Sequence, residues 1–224
     1  MTDKPVSYRY GPIIENGRTR FRLWAPDCEV SLEIRGLPPI AMNTRADGWR
    51  EAEADAPPGT RYRFRIGDLA VPDPASRAQD GDVHGWSVVT DPDEYCWRNA
   101  DWRGLPWEES ILYELHPGLI GGFDGIAARL GQWKALGFTA IELMPVAEFP
   151  GERSWGYDGV LPFAPDRAYG TPDAFKNLID SAHGCGVMIF LDVVYNHFGP
   201  NGNYLGHYAR EFFRQDRQTP WAMP

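Results

Sequence analysis

The chain has 224 residues, 43% of them apolar, and a formal net charge of −9 at pH 7. These values are typical of a globular protein with its own core, and the acidic excess predicts no nucleic-acid partner. No apolar leader begins the chain and no apolar run reaches the roughly 18 residues of a membrane span. We therefore expect no membrane partner and a cytoplasmic protein whose cysteines, Cys28, Cys96 and Cys185, stay reduced.

Residues 1–95 show the alternation of half-buried strands. Phe21 and Leu23 alternate with arginines, and so do Tyr62 and Phe64, while Asn-Gly, Asp-Gly and Pro-Gly pairs separate the runs. Short antiparallel strands joined by such turns are typical of a β-sandwich. The pattern predicts an all-β first domain.

A turn-rich, proline-punctuated stretch runs from Pro72 to Pro106. We assign residues 96–110 as the linker to a second domain. We expect this stretch to pack on its neighbours, because tryptophans such as Trp97 and Trp107 would otherwise lie in water.

Residues 111–224 alternate between apolar strands and amphipathic helices. Strands are predicted at Ile111–His116, Thr139–Val146 and Val187–Tyr195, and helices at Phe123–Leu136 and Pro172–Gly186. Strands that are apolar on both faces and separated by helices indicate a parallel sheet. Its reacting groups are expected where the strands end, at His116, in the loop Pro145–Tyr169 and at Asn196–Tyr204.

Several motifs resemble the first conserved regions of α-amylase-type glycoside hydrolases. They are Trp155-Gly156-Tyr157-Asp158, Phe163-Ala164-Pro165, Tyr169-Gly170-Thr171-Pro172 and Leu191-Asp192-Val193-Val194-Tyr195-Asn196-His197. The segments Ala140–Ala147, Phe198-Gly199-Pro200 and Gly202–Leu205 are similar to the trehalose-releasing branch of that superfamily, the malto-oligosyltrehalose trehalohydrolases. Phe21–Pro26 and Val71–Arg77 resemble the sandwich module that precedes the barrel in those enzymes.

The resemblance implies a multidomain β plus α/β fold. It consists of an amino-terminal immunoglobulin-like β-sandwich, similar to carbohydrate-binding module 48, and an incomplete (β/α)8 TIM barrel of about three βα units over 111–224. The implied activity is retaining hydrolysis of an α-1,4-glucosidic bond that releases trehalose from maltooligosyl trehalose, in trehalose biosynthesis, with no cofactor. The family's nucleophile and acid/base lie on strands four and five, so no catalytic residue is expected in this truncated chain, which alone is expected to be inactive.

The resemblance also assigns supporting roles within the chain. Tyr157 would stack on the sugar at the cleavage point and His197 would hydrogen-bond that sugar. Asp192, Asn196, Trp155 and Asp158 would support them. Because the family's partner for Asp192 lies on strand four, we expect its carboxylate to be solvated at an open sheet edge or to have a raised pKa.

Each residue also has a plainer interpretation. Tyr157 could be a packed loop aromatic, His197 and His116 satisfied strand-end histidines, and Asn196 a turn residue, with no metal predicted because no carboxylate set accompanies it. Glu148 and Glu152 lie on the long loop and could reach substrate, but charged loop residues are usually solvated, and we expect that of both.

Three functions stay open at this point. Beside the hydrolase stand a non-catalytic module that binds maltooligosyl trehalose or another α-glucan, and an inactive fragment; a branching or debranching enzyme is a further alternative that the Phe198-Gly199-Pro200 segment disfavours. The loop Pro117–Phe123 departs from the family pattern, so subsites beside it are expected to differ. Unpaired strands at the barrel edges predict self-association.

Overall fold

The structure is a computed structural model that describes residues 10–214 and 216–217. The strands are β1 (Ile13–Glu15), β2 (Arg18–Trp24), β3 (Ser31–Ile34), β4 (Ile40–Ala41), β5 (Asn43–Thr44), β6 (Trp49–Ala54), β7 (Arg61–Ile66), β8 (Leu69–Val71), β9 (Gln79–Asp80), β10 (Trp86–Val88), β11 (Leu112–Leu115), β12 (Ala140–Leu143), β13 (Ala147–Glu148), β14 (Leu161–Pro165) and β15 (Met188–Leu191). The α-helices are α1 (Pro117–Ile120), α2 (Gly122–Ala127), α3 (Leu130–Ala135), α4 (Pro172–Gly184) and α5 (Leu205–Tyr208). The predicted domain limits at residues 1 and 224 lie outside the described residues.

The amino-terminal region, residues 10–89, contains two antiparallel sheets around one core. One sheet has the order β1-β2-β6-β5, and the other has the order β4-β3-β7-β10-β9 with β8 also paired to β7. Both sheets contribute side chains to the core, among them Phe21, Leu32 and Phe64 at 0% exposure. The predicted alternation is confirmed here, because alternate residues of one strand face the same core.

The first hairpin shows how local chemistry fixes the register. Asn16 and Gly17 join β1 to β2 with φ values of 52° and 77°. A two-residue turn with both φ values positive matches the twist of the flanking strands, and Asn-Gly tolerates that conformation best. The predicted Asn-Gly turn is therefore confirmed.

The turn-rich stretch is partly strand. Its residues 79–88 lie within the predicted first domain and supply β9 and β10 to the larger sheet of the amino-terminal region. Trp107 is 70% exposed and Trp97 is 43% exposed, so the prediction that both are packed away from water was wrong. Trp107 lies at the rim of the next sheet, where it reaches only the edge of Phe190, with 6.1 Å between ring centroids.

The parallel-sheet region, residues 107–213, is built on three parallel strands in the order β11-β12-β15. Helices α2, α3 and α4 cover one face, where Phe123, Ile141 and Leu178 are fully buried. The other face is open on β11, where the alternate residues Leu112 and Glu114 are exposed. Strands β11 and β15 are the two outer strands of this sheet.

Two predicted elements are shorter than the pattern suggested. The predicted helix Phe123–Leu136 is two helices, α2 and α3, and at the break Arg129 has a φ of −106° while its guanidinium donates to the carbonyl of Gly125 at 2.7 Å. The strand expected to reach Tyr195 ends at Leu191, since its neighbour β12 ends at Leu143 and the last ladder bond is Asp192 N to Leu143 O at 2.9 Å.

Two sets of contacts connect parts of the chain that are far apart in sequence. Tyr208 and Ala209, which follow β15 in sequence, are 4% and 1% exposed inside the amino-terminal core. Asp180 of α4 accepts hydrogen bonds from the backbone and side chains of Arg98 and Asn99 in the predicted linker. The first contact attaches the segment after β15 to the amino-terminal core, and the second attaches the predicted linker to α4. Among the described residues, none of the helices has the length and apolarity that crossing a bilayer requires.

Candidate functional site

The loops after β12 and β15 bring Tyr157 and Asp192 together. The Tyr157 hydroxyl donates to Asp192 Oδ2 at 3.0 Å, and Asp192 is half-buried immediately after the last residue of β15. This hydrogen bond, followed by burial and the charge of Asp192, raises the pKa of Tyr157. Tyr157 therefore stays a neutral donor, with its ring 41% exposed.

His197 contacts the backbone of the turn that carries Tyr157. Its Nε2 is 3.0 Å from the Tyr157 carbonyl oxygen, which can only accept, so Nε2 carries the proton. Two residues further on, the backbone N–H of Gly199 donates to the carbonyl of Gly159 at 3.2 Å. The turn that carries Tyr157 is thus fixed against the loop that carries His197.

Two glutamates add negative charge to the same strand ends. Glu114 of β11 and Glu142 of β12 are register partners, and the charges of both contribute to the raised pKa of Tyr157. With Asp192 they make this part of the open sheet face electronegative. Glu114 and Glu142 were not predicted as site residues, although the parallel register of two strands could have indicated that they lie side by side.

The environment of Asp192 differs from the one expected. Its carboxylate was expected to lack a partner, but the Tyr157 hydroxyl is one. The same carboxylate lines a cavity of about 360 Å³ between the end of β15 and strand β14, whose walls include Phe163, Tyr195 and Lys176. A hydroxyl donor and an open cavity thus meet the polar needs of this half-buried carboxylate at the sheet edge.

The other predicted residues surround this cluster without joining its hydrogen bonds. Asp158 is half-buried and Asn196 is exposed. Trp155, 77% exposed, lines a different cavity together with His116. Within the described ranges 10–214 and 216–217, no group of three or more His, Cys, Asp or Glu side chains is arranged to hold a metal ion.

His116 is bonded on one side only. Its Nε2 is 2.7 Å from the carbonyl oxygen of Ser154, so this nitrogen donates. Its Nδ1 is buried and has no hydrogen-bond partner among the described residues. The interpretation of His116 as a satisfied strand-end histidine therefore holds for one nitrogen.

Glu148 contradicts the expectation that the loop glutamates are solvated. Glu152 is exposed, but Glu148 is 0% exposed, as is Asp166 beside it. Burial, then the charge of Asp166, raises the pKa of Glu148 to about 8. One carboxylate oxygen accepts from the Arg167 backbone N–H at 3.2 Å, and the other has no hydrogen-bond partner in the part of the chain that the structure describes. The β13–β14 hairpin folds Glu148 inward, which strand periodicity in a long loop could not reveal.

Comparison with known proteins decides the family. The model of the alpha amylase catalytic domain matches residues 74–221, more than half of the chain. The chain belongs to the α-amylase family. The family resemblance that was drawn from the segments around Tyr157 and Asp192 is therefore confirmed.

Among curated members of the α-amylase family, trehalohydrolases are prominent relatives. The chain is 40% identical over 216 residues to the malto-oligosyltrehalose trehalohydrolase of Deinococcus radiodurans. The alignment covers 95% of this chain and 36% of the relative. It is 39% identical to that of Saccharolobus solfataricus, with 96% of this chain and 39% of the relative covered. A 1,4-alpha-glucan branching enzyme of Xanthomonas euvesicatoria is more distant, at 30% identity. The chain thus spans little more than a third of the length of these trehalohydrolases.

A solved structure supports the fold of the α-amylase-family chain over nearly its whole length. The crystal structure of a Salmonella typhimurium protein assigned as an alpha amylase superposes with a TM-score of 0.92 at 49% identity. The match covers 97% of this chain and 38% of that one. Mixed sheets with few helices are therefore shared with a larger α-amylase-family protein.

Proposed function

We propose that the protein containing this chain is a retaining glycoside hydrolase that releases trehalose from maltooligosyl trehalose, a step of trehalose biosynthesis. The cluster of Tyr157, Asp192 and His197 at the carboxyl ends of parallel strands carries this proposal, because it stands in an α-amylase-family chain that is 40% identical to a trehalohydrolase. Retaining glycoside hydrolysis uses carboxylates, so the proposal includes no cofactor.

We extend the proposal to the architecture. We interpret the amino-terminal region as an immunoglobulin-like sandwich, because its two antiparallel sheets share one core. We interpret the parallel-sheet region as the first part of a (β/α)8 barrel. Support comes from the sequential order β11-β12-β15, since doubly wound sheets reverse their strand order at a switch point whereas a barrel does not.

The proposed roles follow from the contacts in the cluster. Asp192 holds the Tyr157 hydroxyl, so the exposed ring presents a fixed apolar face against which a sugar can stack. His197 steadies the same turn through the Tyr157 carbonyl, and we propose that it also faces the sugar. Asp158, Asn196 and Trp155 are proposed to support the site.

The charge of the cluster suits the proposed chemistry. Glu114, Glu142 and Asp192 all raise the pKa of Tyr157 through their negative charge. Glycoside hydrolysis passes through an oxocarbenium-ion-like transition state that carries positive charge. Negative charge fixed around the sugar before reaction stabilises that state without reorganisation.

A second candidate is α-glucan binding without hydrolysis. The exposed rings of Trp155 and Tyr157 favour it, because aromatic platforms bind sugars whether or not a bond is cleaved. Location in the cytoplasm, the absence of nucleic-acid and membrane partners, and self-association through the edge strands β11 and β15 stay predictions.

The test uses the protein produced from its own gene. Incubation with maltooligosyl trehalose should release trehalose, and NMR should show that the other product first appears as the α-anomer. His197→Ala should lower kcat/KM by about 100-fold, the loss typical of one transition-state contact. His183→Ala is the matched control, because His183 stacks on Trp102 away from the cluster. Release of glucose or maltose alone, formation of branch points, or binding without hydrolysis would each overturn the proposal.

A further inference from the structure

A second cavity opens on the other side of the Trp155–Tyr157 turn. It has a volume of about 590 Å³ and lies between the loop after β11 and residues 152–155, with His116, Leu119, Met144 and Tyr169 among its walls. It shares no lining residue with the cavity at Asp192. A volume of this size accommodates a sugar-sized ligand.

The backbone around Trp155 is held on both sides. The carbonyl oxygen of Ser154 lies 2.7 Å from His116 Nε2 and 3.4 Å from the Tyr169 hydroxyl. On the other side, the N–H of Gly156 donates to Ser154 Oγ at 3.0 Å, and Gly156 itself has a φ of 94°. A Cβ at Gly156 would lie 2.3 Å from the Pro145 carbonyl oxygen, so only glycine allows this approach. Trp155 therefore projects from a rigid turn.

Although its backbone is fixed, the Trp155 side chain remains in water. The indole is 77% exposed, and Leu119 across the cavity mouth is 83% exposed. Large apolar side chains that stay exposed beside a concave surface mark binding sites. A side chain whose backbone is already fixed loses less conformational freedom when a ligand stacks on it.

The rim of the cavity is polar and carries both charges. Glu152 and Arg153, both exposed, precede Trp155 on the same turn and line the cavity with it. An aromatic face flanked by a strong acceptor and a strong donor matches a pyranose ring, whose faces are apolar and whose edge is lined with hydroxyls. A purely apolar ligand would leave both charged groups without partners.

We propose that Trp155 is the stacking platform of a separate α-glucan subsite in this cavity. The ligand class rests on the proposed function, because it is taken from the α-amylase family to which the chain belongs. Glu152 and Arg153 hydrogen-bond the hydroxyl groups, and Leu119 closes the opposite wall. The site extends the glucan-binding surface beyond Tyr157 along the loop Pro117–Phe123, where this sequence departs from the family pattern.

The test measures binding of maltotriose and maltohexaose to the native protein by titration calorimetry. Trp155→Ala should weaken maltohexaose binding about tenfold, and Trp155→Phe, which keeps an aromatic face, should stay within about threefold of the native protein. Maltotriose should be affected less, because a short chain can occupy the Tyr157 cluster alone. Trp107→Ala is the matched control, since Trp107 is 70% exposed, contacts Phe190 of β15 and is not among the residues that line this cavity.

The outcomes separate this subsite from the proposed reaction. Unchanged maltohexaose affinity in Trp155→Ala overturns the subsite even when trehalose is released. Loss of affinity in Trp155→Ala, in a protein that releases no trehalose, supports the subsite while the proposed hydrolysis fails. A thermal midpoint of Trp155→Ala that falls well below that of Trp107→Ala would show a structural role for the indole and would also overturn the subsite.

Discussion

Glu33 in the amino-terminal region and Glu148 in the parallel-sheet region are both buried, at 8% and 0% exposure, but their pKa values move in opposite directions. Burial alone would raise the pKa of Glu33, but hydrogen bonds from Arg65 and Arg63 outweigh it and lower the pKa. Burial raises the pKa of Glu148 to about 8, and the charge of Asp166 adds to the effect. Burial favours the neutral acid at both positions, and the chemistry of the nearest neighbours decides whether that effect is outweighed.

Strand pairing explains why the neighbours differ. Glu33 of β3 pairs with Arg63 of β7 in register, so the alternation of strand residues places the guanidinium beside the carboxylate. Glu148 lies where the β13–β14 register shifts, and the nearest guanidinium nitrogen, Nε of Arg167, is 3.9 Å away. A regular ladder supplies a cation, whereas the irregular hairpin supplies a second acid.

The largest effect is expected for Asp180. It tests whether the neighbouring side chains or the region of the fold determine the direction in which the pKa of a buried acid moves. It lies in the parallel-sheet region at 0% exposure, where burial would raise its pKa, but hydrogen bonds from Arg98 and Asn99 hold the pKa well below its usual range. Asp180→Ala should lower the free energy of unfolding at pH 7 by about 2–4 kcal/mol, measured by urea denaturation, because backbone and side-chain donors lose their acceptor. The difference should shrink as the pH falls below about 4, because the carboxylate of the unfolded chain is then protonated while the native carboxylate, with its lowered pKa, is still charged.

Asp173→Ala is the control for Asp180. Asp173 is exposed in the first turn of the same helix, so its loss should cost less than about 1 kcal/mol. Equal losses in the two variants would mean that the Arg98–Asn99 contacts contribute nothing.

Glu148 should make stability depend on pH in the opposite direction. Its pKa of about 8 in the folded protein exceeds the ordinary glutamate value, so the protonated form is favoured by folding. This stability is fully present below about pH 4.5 and is lost as the pH rises towards 8, by roughly 1 kcal/mol per pH unit at most. Glu148→Gln, which is neutral at every pH, should flatten the decline in a series of urea denaturations from pH 5 to pH 8.

Glu152→Gln is the matched control on the same loop, because Glu152 is exposed. This variant should keep the decline of the native protein. The same decline in Glu148→Gln would show that another group titrates in this range.

Much of the fold could be predicted from local patterns, and the failures share one cause. Alternation in β2 and β7, and the Asn16-Gly17 turn, are local and were predicted correctly. The burial of Glu148 depends on how a long loop folds back, and the place of Tyr208 in the amino-terminal core depends on contacts far apart in sequence. Neither leaves a periodic signal that a sequence pattern can detect.

The candidate site was also predicted in part. Motifs after two strands predicted that Tyr157, Asp192 and His197 serve one site, and parallel strands do bring their ends to one edge. The hydroxyl of Tyr157 as the partner of Asp192 was not predicted, because side-chain directions in loops do not follow from spacing.

Asp192 differs from Glu33 and Glu148 because it is only half-buried and its hydrogen-bond partner, the Tyr157 hydroxyl, is neutral. Its hydrogen bond is the largest cause of the raised pKa of Tyr157. Asp192→Asn should therefore lower the pKa of Tyr157 towards the ordinary tyrosine value of about 10, measured by NMR of a ring-labelled protein. Asp158→Asn, next to Tyr157 in sequence, should leave that pKa in place. A Tyr157 pKa that does not change in Asp192→Asn would contradict the contact.

The smallest effect is expected for the pKa of Glu33. Its guanidinium partners, Arg63 and Arg65, are 26% and 35% exposed, so water and salt screen the attraction. Arg65→Met should raise the pKa of Glu33, followed by NMR titration, and the change should shrink as ionic strength increases. Arg18→Met, which removes a pair with Glu53 at 57% exposure on both sides, should leave Glu33 unchanged. If Arg65→Met left the pKa of Glu33 unchanged at low salt, the contrast with Glu148 would have to come from burial and not from neighbours.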